Sequence, residues 1–328
     1  MTSRAARVLH ASVLLASVLL ATVLPVTAPA ALSEPLPIEA RPIETLPLDS
    51  DEGVSAPLSL LAAFELVSPH PRFGGLSGAA INGDRLVAVT DKGDWVAFTL
   101  DSDGAGRVLS VLDATIEPMR VLAAAEHETR TTDAESLCLT SDGLLVAFEG
   151  RHRLGLFADR KAAEQSAPLP RLRRGLQSNK GVEALACADD GTVFAIAERG
   201  VRQARDNFGW RIRNGRATAF RFPRTEGFSP TGADFGPDGA LYLLERRFTL
   251  PGGVWMRLRR FRHPLREGAL GAGEVLAVLG PESGVDNMEA IIAEPGPDGA
   301  ILLTVLSDDN FNSFQSTVLL QFAYRPED

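Results

Sequence analysis

The sequence predicts an all-β protein: a β-propeller of five or six four-stranded blades in a single domain. The first observation behind this is a unit written five times. A polar residue opens a short apolar strand, an Asp-Gly or Asn-Gly turn follows, a second apolar strand runs back, and charged or polar residues close the unit. Asn179-Lys180-Gly181-Val182-Glu183 begins the clearest copy, which passes through Asp190-Gly191 to residues 193–197 and ends on Glu198-Arg199. The others run from Ser77 through Asn82-Gly83 to Asp91-Lys92, and from Glu135 through Asp142-Gly143 to Glu149-Gly150-Arg151. Two more run from Thr231 through Asp238-Gly239 to Glu245-Arg246, and from Glu289 through Asp298-Gly299 to Ser307-Asp308-Asp309-Asn310. The second observation is the period. Glu135, Glu183 and Thr231 are spaced by 48 residues, and Ser77 to Glu135 and Thr231 to Glu289 by 58, a length that suits a propeller blade. Thirdly, these segments lack the three- and four-residue apolar spacing of helical repeats.

In chain order, the first segment lies outside the repeat. Arg4 and Arg7 precede an almost continuous apolar run over residues 8–24, and Ala28-Pro29-Ala30 follows. That is the pattern of an export signal peptide over residues 1–30, too short for a comfortable span and so expected to be cleaved, leaving no stable membrane span. A periplasmic or secreted location is expected. Residues 31–57 carry Pro35, Pro37, Pro42, Pro47 and Pro57 among acids and read as a linker. Residues 58–328 form the propeller domain. Leu58–Val67 is a strand-like run before the first copy, and in a propeller such a strand completes the last blade and removes the open sheet edge. Third strands are expected at residues 154–158, 217–222, 256–261 and 317–322, and fourth strands at 107–112 and 274–279.

The chain is 45% hydrophobic and 23% charged, ordinary for a folded soluble protein. Its net charge of −9 becomes −11 once residues 1–30, with two arginines and no acids, are removed (−9 − 2). Nucleic acid is therefore excluded as a partner, since phosphate neutralisation needs a basic face. A monomer is expected. Cys138 and Cys187 follow their strand-opening glutamates by three and four residues, so strict alternation points them to opposite sheet faces. Two buried free thiols are expected.

The first and second strands of a blade are antiparallel, so the start of one lies beside the end of the other. Glu135 should neighbour Glu149, Glu183 should neighbour Glu198, and Glu289 should neighbour Asp308, all on one face of the ring. Because innermost strands line the central channel, the carboxylates should converge on one channel mouth. Any one of these acids could be a solvated strand end paired with the Arg beside it. The whole set needs cations, either from Lys92, Arg151, Arg199 and Arg246 or from a bound metal. Clustered carboxylate and amide oxygens suit Ca2+.

Phe73-Gly74-Gly75-Leu76-Ser77-Gly78, Asn179-Lys180-Gly181-Val182-Glu183-Ala184-Leu185, Asp286-Asn287-Met288-Glu289-Ala290-Ile291 and Ser307-Asp308-Asp309-Asn310-Phe311 resemble the phytase-like, or "esterase-like activity of phytase", family. Four motifs in order, over roughly residues 64–322, make the match specific although each is short. Ala184 and Ala290 stand where glycine commonly follows the glutamate. The resemblance implies hydrolysis of a small-molecule phosphate monoester or other ester. Under that reading Glu183 and Glu289 are the catalytic candidates. The metal-ligand candidates are Asp91, Glu135, Glu149, Glu198, Glu245, Asp308 and Asp309. Ser77, Lys92, Arg151, Lys180, Arg199, Arg246 and Asn310 are the candidates for holding substrate.

Other catalytic signatures are missing. Gly75-Leu76-Ser77-Gly78 lacks the last glycine and the strand-turn-helix setting of a serine-hydrolase elbow. His70, His127, His152 and His263 have no zinc-site spacing, and no nucleotide-type phosphate loop is present. Arginines crowd residues 199–266. Arg257 and Arg259 fall on one strand face and Arg260 and Arg262 on the other, so solvent-facing positions are expected rather than one anion site. Residues 205–210 are the alternative, a loop reaching over the ring. The rival to a hydrolase is a non-catalytic propeller that binds a ligand or protein at its channel mouth, because propellers host many unrelated functions.

Overall fold

The computed structural model describes residues 33–43, 58–122, 132–167, 176, 181–198, 206–262, 264 and 270–326. The basic and apolar amino-terminal run falls outside them. β1 (Glu34–Pro35), β2 (Glu39–Pro42) and β3 (Leu58–Val67) come first. Blade 1 holds β4 (Leu76–Asn82), β5 (Arg85–Thr90), β6 (Asp94–Ser102) and β7 (Val108–Pro118). Blade 2 holds β8 (Ala134–Thr140), β9 (Gly143–Phe148), β10 (Arg153–Phe157) and β11 (Gln165–Ser166). β12 (Val182–Cys187), β13 (Val193–Ala197), β14 (Asp206–Arg213) and β15 (Arg216–Pro223) make blade 3. Blade 4 consists of β16 (Ser229–Phe235), β17 (Leu241–Thr249), β18 (Gly253–Phe261) and β19 (Glu274–Leu279). Blade 5 has β20 (Asn287–Pro295), β21 (Ile301–Asp308) and β22 (Val318–Tyr324), with β3 as its fourth strand. This is a five-bladed β-propeller, and of the two expected blade numbers the smaller holds.

β3 pairs antiparallel with β22, so the chain's first long strand completes its last blade. Innermost strands β4, β8, β12, β16 and β20 pack in sequence, and β20 returns to β4, closing the ring. The second strands read as unbroken apolar runs because each is buried on both faces. Along β9, Leu144, Val146 and Phe148 enter the core against blade 1, while Leu145 and Ala147 enter the core against blade 3. Five apolar clusters result, one at each blade boundary. Each first hairpin turns on a glycine at positive φ, as at Gly83 (69°) and Gly191 (78°), where a side chain would be strained.

Three expectations change. Residues 34–35 and 39–42, inside the stretch read as linker, are strands: β1 adds to β7 and β2 to β3. Leu36 between them is buried in the cluster joining blades 5 and 1. Pro35, Pro37 and Pro42 hid this strap, because a strand at a sheet edge tolerates proline. In blade 3, residues 217–222 belong to the fourth strand. Residues 206–210, for which a loop over the ring was the alternative, begin the third strand, paired from Val193↔Ile212 to Ile196↔Gly209.

The cysteines are bonded to each other. Cys138 and Cys187 form a disulfide with Cα atoms 5.7 Å apart. They do point to opposite faces of equivalent strands, as alternation requires. In a ring of blades, however, the forward face of blade 2 packs on the rear face of blade 3, so opposite faces meet. Cys138 sits in the cluster between those blades and Cys187 packs against it.

Candidate active site

One local irregularity recurs in all five blades. Where the innermost strand pairs with the second, the register slips by one residue. The slips lie between Leu76 and Gly78, Ala134 and Ser136, Val182 and Ala184, Pro230 and Gly232, and Met288 and Ala290. The residues left without a partner are Ser77, Glu135, Glu183, Thr231 and Glu289, the polar residue that opens each copy of the repeat. A bulge bends its strand and re-aims one side chain. Here it breaks alternation at the residue with the chemistry.

At the two short side chains the bulge ties blades together. Ser77 Oγ donates to the Ala134 carbonyl and Thr231 Oγ1 to the Met288 carbonyl, at 2.8 Å in the second case. Small residues follow because the inner strands nearly touch: a Cβ on Gly232 would lie 2.7 Å from the Glu289 carbonyl oxygen. Ser77 is thus buried and already engaged, and does not present its hydroxyl to a substrate as expected.

The three glutamates converge. Glu135 is pushed well above the ordinary carboxyl range, first by burial and then by Glu183, Asp133, Glu149 and Glu289. Glu183 rises to about 8 through burial and then Glu289, Glu198 and Glu149, with a Gly181 N–H at 3.3 Å pulling the other way. Burial also lifts Glu289 to about 8, opposed by Arg246 and reinforced by Asp308 and Glu198. Carboxylates from blades 2, 3 and 5 thus lie near enough to raise one another. The expected pairings follow from the ladder: the Glu149 N–H donates to the Asp133 carbonyl, the Glu198 N–H to that of Gly181, and Asn287 pairs with Asp308.

Around them Asp308 is raised to about 7 by burial, against the Asn310 N–H that donates to it, with Asp91 and Asp309 adding to the rise. Asp91 is raised to about 6 by burial and by Asp133. Asp309 accepts N–H groups from Gly75 and Phe311, both at 2.9 Å, and so links blade 5 to blade 1. Asn310 serves the same loop, its side-chain amide donating to Gln315 at 3.1 Å. Lys92 lies over the Phe311 ring, 2.9 Å from its centroid. Arg246 reaches from blade 4 to Glu289 at 2.8 Å. Arg151 is exposed in the turn after β9. Lys180 and Arg199 lie outside the described residues.

Glu245 does not join the mouth. It is fully buried between blades, bonded to Arg257 at 2.8 Å and to Arg259. Those arginines are buried too, although they were expected to face solvent, and the aromatic faces of Phe228, Phe222 and Phe261 cover them. Alternation along β17 sends Glu245 into the blade boundary and the next residue, Arg246, to the mouth. Asp133 was missed. With Glu135 and Glu149 it offers carboxylate oxygens all within 4.8 Å of one another. Its signal was its place two residues before Glu135, which corresponds to Asn287 before Glu289.

This donor set fits a hard divalent cation. It is all oxygen, and among the described residues Asp91 Oδ1 is buried without a hydrogen-bond partner. A separate cleft of about 530 Å³ opens on the opposite face, between blades 2 and 3, where Leu139, Leu145, Leu156, Val193 and Ile212 surround Cys187. No helix among the described residues is long and apolar enough to cross a membrane.

The fold is similar to the endo-arabinase from Bacteroides thetaiotaomicron VPI-5482, at 10% identity and a TM-score of 0.50, covering 79% of this chain and 96% of that one. An α-L-arabinofuranosidase from Podospora anserina matches at 12% identity and TM-score 0.49, covering 84% and 99%. The aldose sugar dehydrogenase from Streptomyces coelicolor matches at 12% and 0.43, covering 83% and 100%. Likeness at such identity concerns the fold alone. No curated protein matches the sequence. The family profile described as Phytase-like, esterase-like activity of phytase, matches residues 71–311. The chain belongs to the Phytase-like family.

Proposed function

We propose that this is an exported hydrolase of small-molecule phosphate monoesters or related esters, working at the acidic channel mouth with a divalent cation, Ca2+ by donor chemistry. The observation that supports this most is the repeated bulge, which falls on three glutamates of separate blades that raise one another's pKa. Asp133, Glu135 and Glu149 would hold the cation, with Asp91 beside them. When bound, the cation supplies positive charge that polarises an ester oxygen and offsets the anion's repulsion by the mouth.

The chain's own residues supply the proton chemistry. Glu183 and Glu289, with midpoints near 8, carry a proton at neutral pH and release it as positive charge enters. A carboxyl poised there can give a proton to a leaving alkoxide or take one from water. Arg246, already beside Glu289, is placed to hold an anionic oxygen. The bonded Asp308–Asn310 loop keeps the rim rigid.

The test is turnover of p-nitrophenyl phosphate, p-nitrophenyl acetate and phytate by the protein freed of residues 1–30, with Ca2+ and with chelator. Turnover abolished by chelator and by Glu183→Gln with Glu289→Gln supports the reading. No turnover on any of the three, alongside a Ca2+-dependent rise in Tm, supports a binding propeller instead.

A further inference from the structure

The cleft between blades 2 and 3 lies at the end of the ring away from the carboxylates, and the chemistry of the mouth makes no use of it. It exists because the two blades finish differently there. In blade 3, β14 and β15 pair to their last residues, Arg213 opposite Arg216, and turn on Asn214-Gly215, both at positive φ (50° and 71°). In blade 2, the chain after β10 leaves toward blade 1, where Arg160 bonds Glu117 at 2.7 Å and Ala163 bridges Arg120. β11 then pairs with β10 through Gly155 and Leu156 alone. The full hairpin of blade 3 therefore stands beside a blade whose outer strand is cut short, and a space of about 530 Å³ stays open. Its floor is aliphatic. Leu145, Val193 and Ile212 belong to the buried core, Leu156 packs against it, and Leu139 is 39% exposed at the edge. The charges at the rim do not balance. Arg213, the one cation among the described residues lining the cleft, is already paired with Asp190 at 3.1 Å. Asp142 and Asp189 line the same space and are exposed, and among the described residues their carboxylates accept no hydrogen bond and form no ion pair.

We propose that this cleft binds a small primary amine carried on an aliphatic body, with the ammonium at Asp142 and Asp189 and the hydrocarbon on the apolar floor. The volume suits a small molecule, as does an apolar lining with a few polar groups at its edge. The lining also selects the kind of cation. Quaternary ammonium groups are held by aromatic faces, and no aromatic residue lines the cleft among those described. A primary ammonium instead donates hydrogen bonds, which two unpartnered carboxylates can accept. The site is separate from the acidic mouth, and its occupancy does not depend on hydrolysis there.

Calorimetric titration at pH 7.5 with 1-adamantylmethylamine and with adamantane-1-carboxylate tests this, because the two probes share a body and differ in charge. The amine should bind wild type with a Kd of about 0.1–1 mM, and the carboxylate at least about tenfold more weakly. Asp142→Asn with Asp189→Asn should abolish that preference, and should leave Tm unchanged because both side chains are exposed. Leu139→Asn, also at an exposed position, should weaken the amine about threefold. The mouth is acidic too, so the titration is repeated in Glu135→Gln with Glu149→Gln, which should bind the amine as wild type does. The proposal is overturned if wild type does not bind the amine, if it binds both probes alike, if the preference survives in the asparagine pair, or if it is lost in the glutamine pair. Ester turnover enters none of these readouts, so a failure of the hydrolase proposal leaves this test standing.

Discussion

Arg246 Nη1 lies 2.8 Å from a Glu289 carboxylate oxygen, across the boundary between blades 4 and 5. The preceding residue, Glu245, is buried with Arg257 and Arg259 on the other face of the same strand. One dipeptide thus serves the mouth with its second residue and the scaffold with its first. For the mouth, Arg246→Met should leave Glu289 protonated to higher pH, because the cation that opposes its rise is gone. KM for an anionic ester should rise about tenfold with a smaller change in kcat, and kinetics across pH 6–9 would show it.

The scaffold side makes the opposite prediction. Glu245→Ala strands two guanidinium groups in a dry boundary and should cost about 3–5 kcal/mol of stability. Ca2+ binding by whatever fraction remains folded should be unaltered. Denaturant unfolding with and without Ca2+ separates the two effects.

Stability should also depend on pH in a direction unusual for a protein rich in acids. Glu183 and Glu289 titrate near 8, Asp308 near 7 and Asp91 near 6 in the folded chain, all above their ordinary values. The native state therefore binds more protons than the unfolded one between about pH 4.5 and 8. The stabilisation is complete below the ordinary carboxyl range and is lost as pH rises through 6 to 8. In chelator, Tm should fall by roughly 5–10 °C between pH 5 and pH 8.5. Ca2+ should restore more of it at pH 8.5 than at pH 5, where it competes with protons.

The strap before the ring offers a fourth test. Leu36 is buried between β1 and β2, and Arg72 holds β1 through Glu34 at 2.9 Å while bonding Asp94 at 2.8 Å. Leu36→Asp places a charge in the core joining the first and last blades and should cost about 3 kcal/mol or more. Limited proteolysis near residue 43, assayed by gel, should follow the loss.

Much of this fold was legible because propeller blades are written in short range. The Asp-Gly turns, the apolar runs and the 48- and 58-residue spacings each report one hairpin. Leu58–Val67 read as a closing strand because an extra apolar run before the first copy had nowhere else to pair. The converging acids followed from antiparallel pairing alone. What sequence could not show was anything set between blades. Glu245 looks like Glu149 and Glu198 in its copy, but pairing sets it opposite Pro230, where Phe148 and Ala197 stand in their blades, and Arg246 takes the mouth position. The disulfide was lost because alternation assigns faces within one sheet, whereas Cys138 and Cys187 meet between two. The bulges leave no mark in composition, so Ser77 looked as accessible as Glu183 until the register showed its hydroxyl bonded to the next blade. Asp133 precedes its strand and matches no acid in the other copies.

The central claim is that the recurring bulge gathers carboxylates into a cation site. Calorimetric titration of the oxidised protein with Ca2+ at pH 8 tests it most directly, in wild type and in Glu135→Gln with Glu149→Gln. Saturable binding in wild type, weakened at least about a hundredfold in the variant, is the expected result, since each carboxylate ligand lost costs a large factor in affinity. An absence of binding heat in wild type, with a Tm indifferent to Ca2+ and to chelator, would contradict the account.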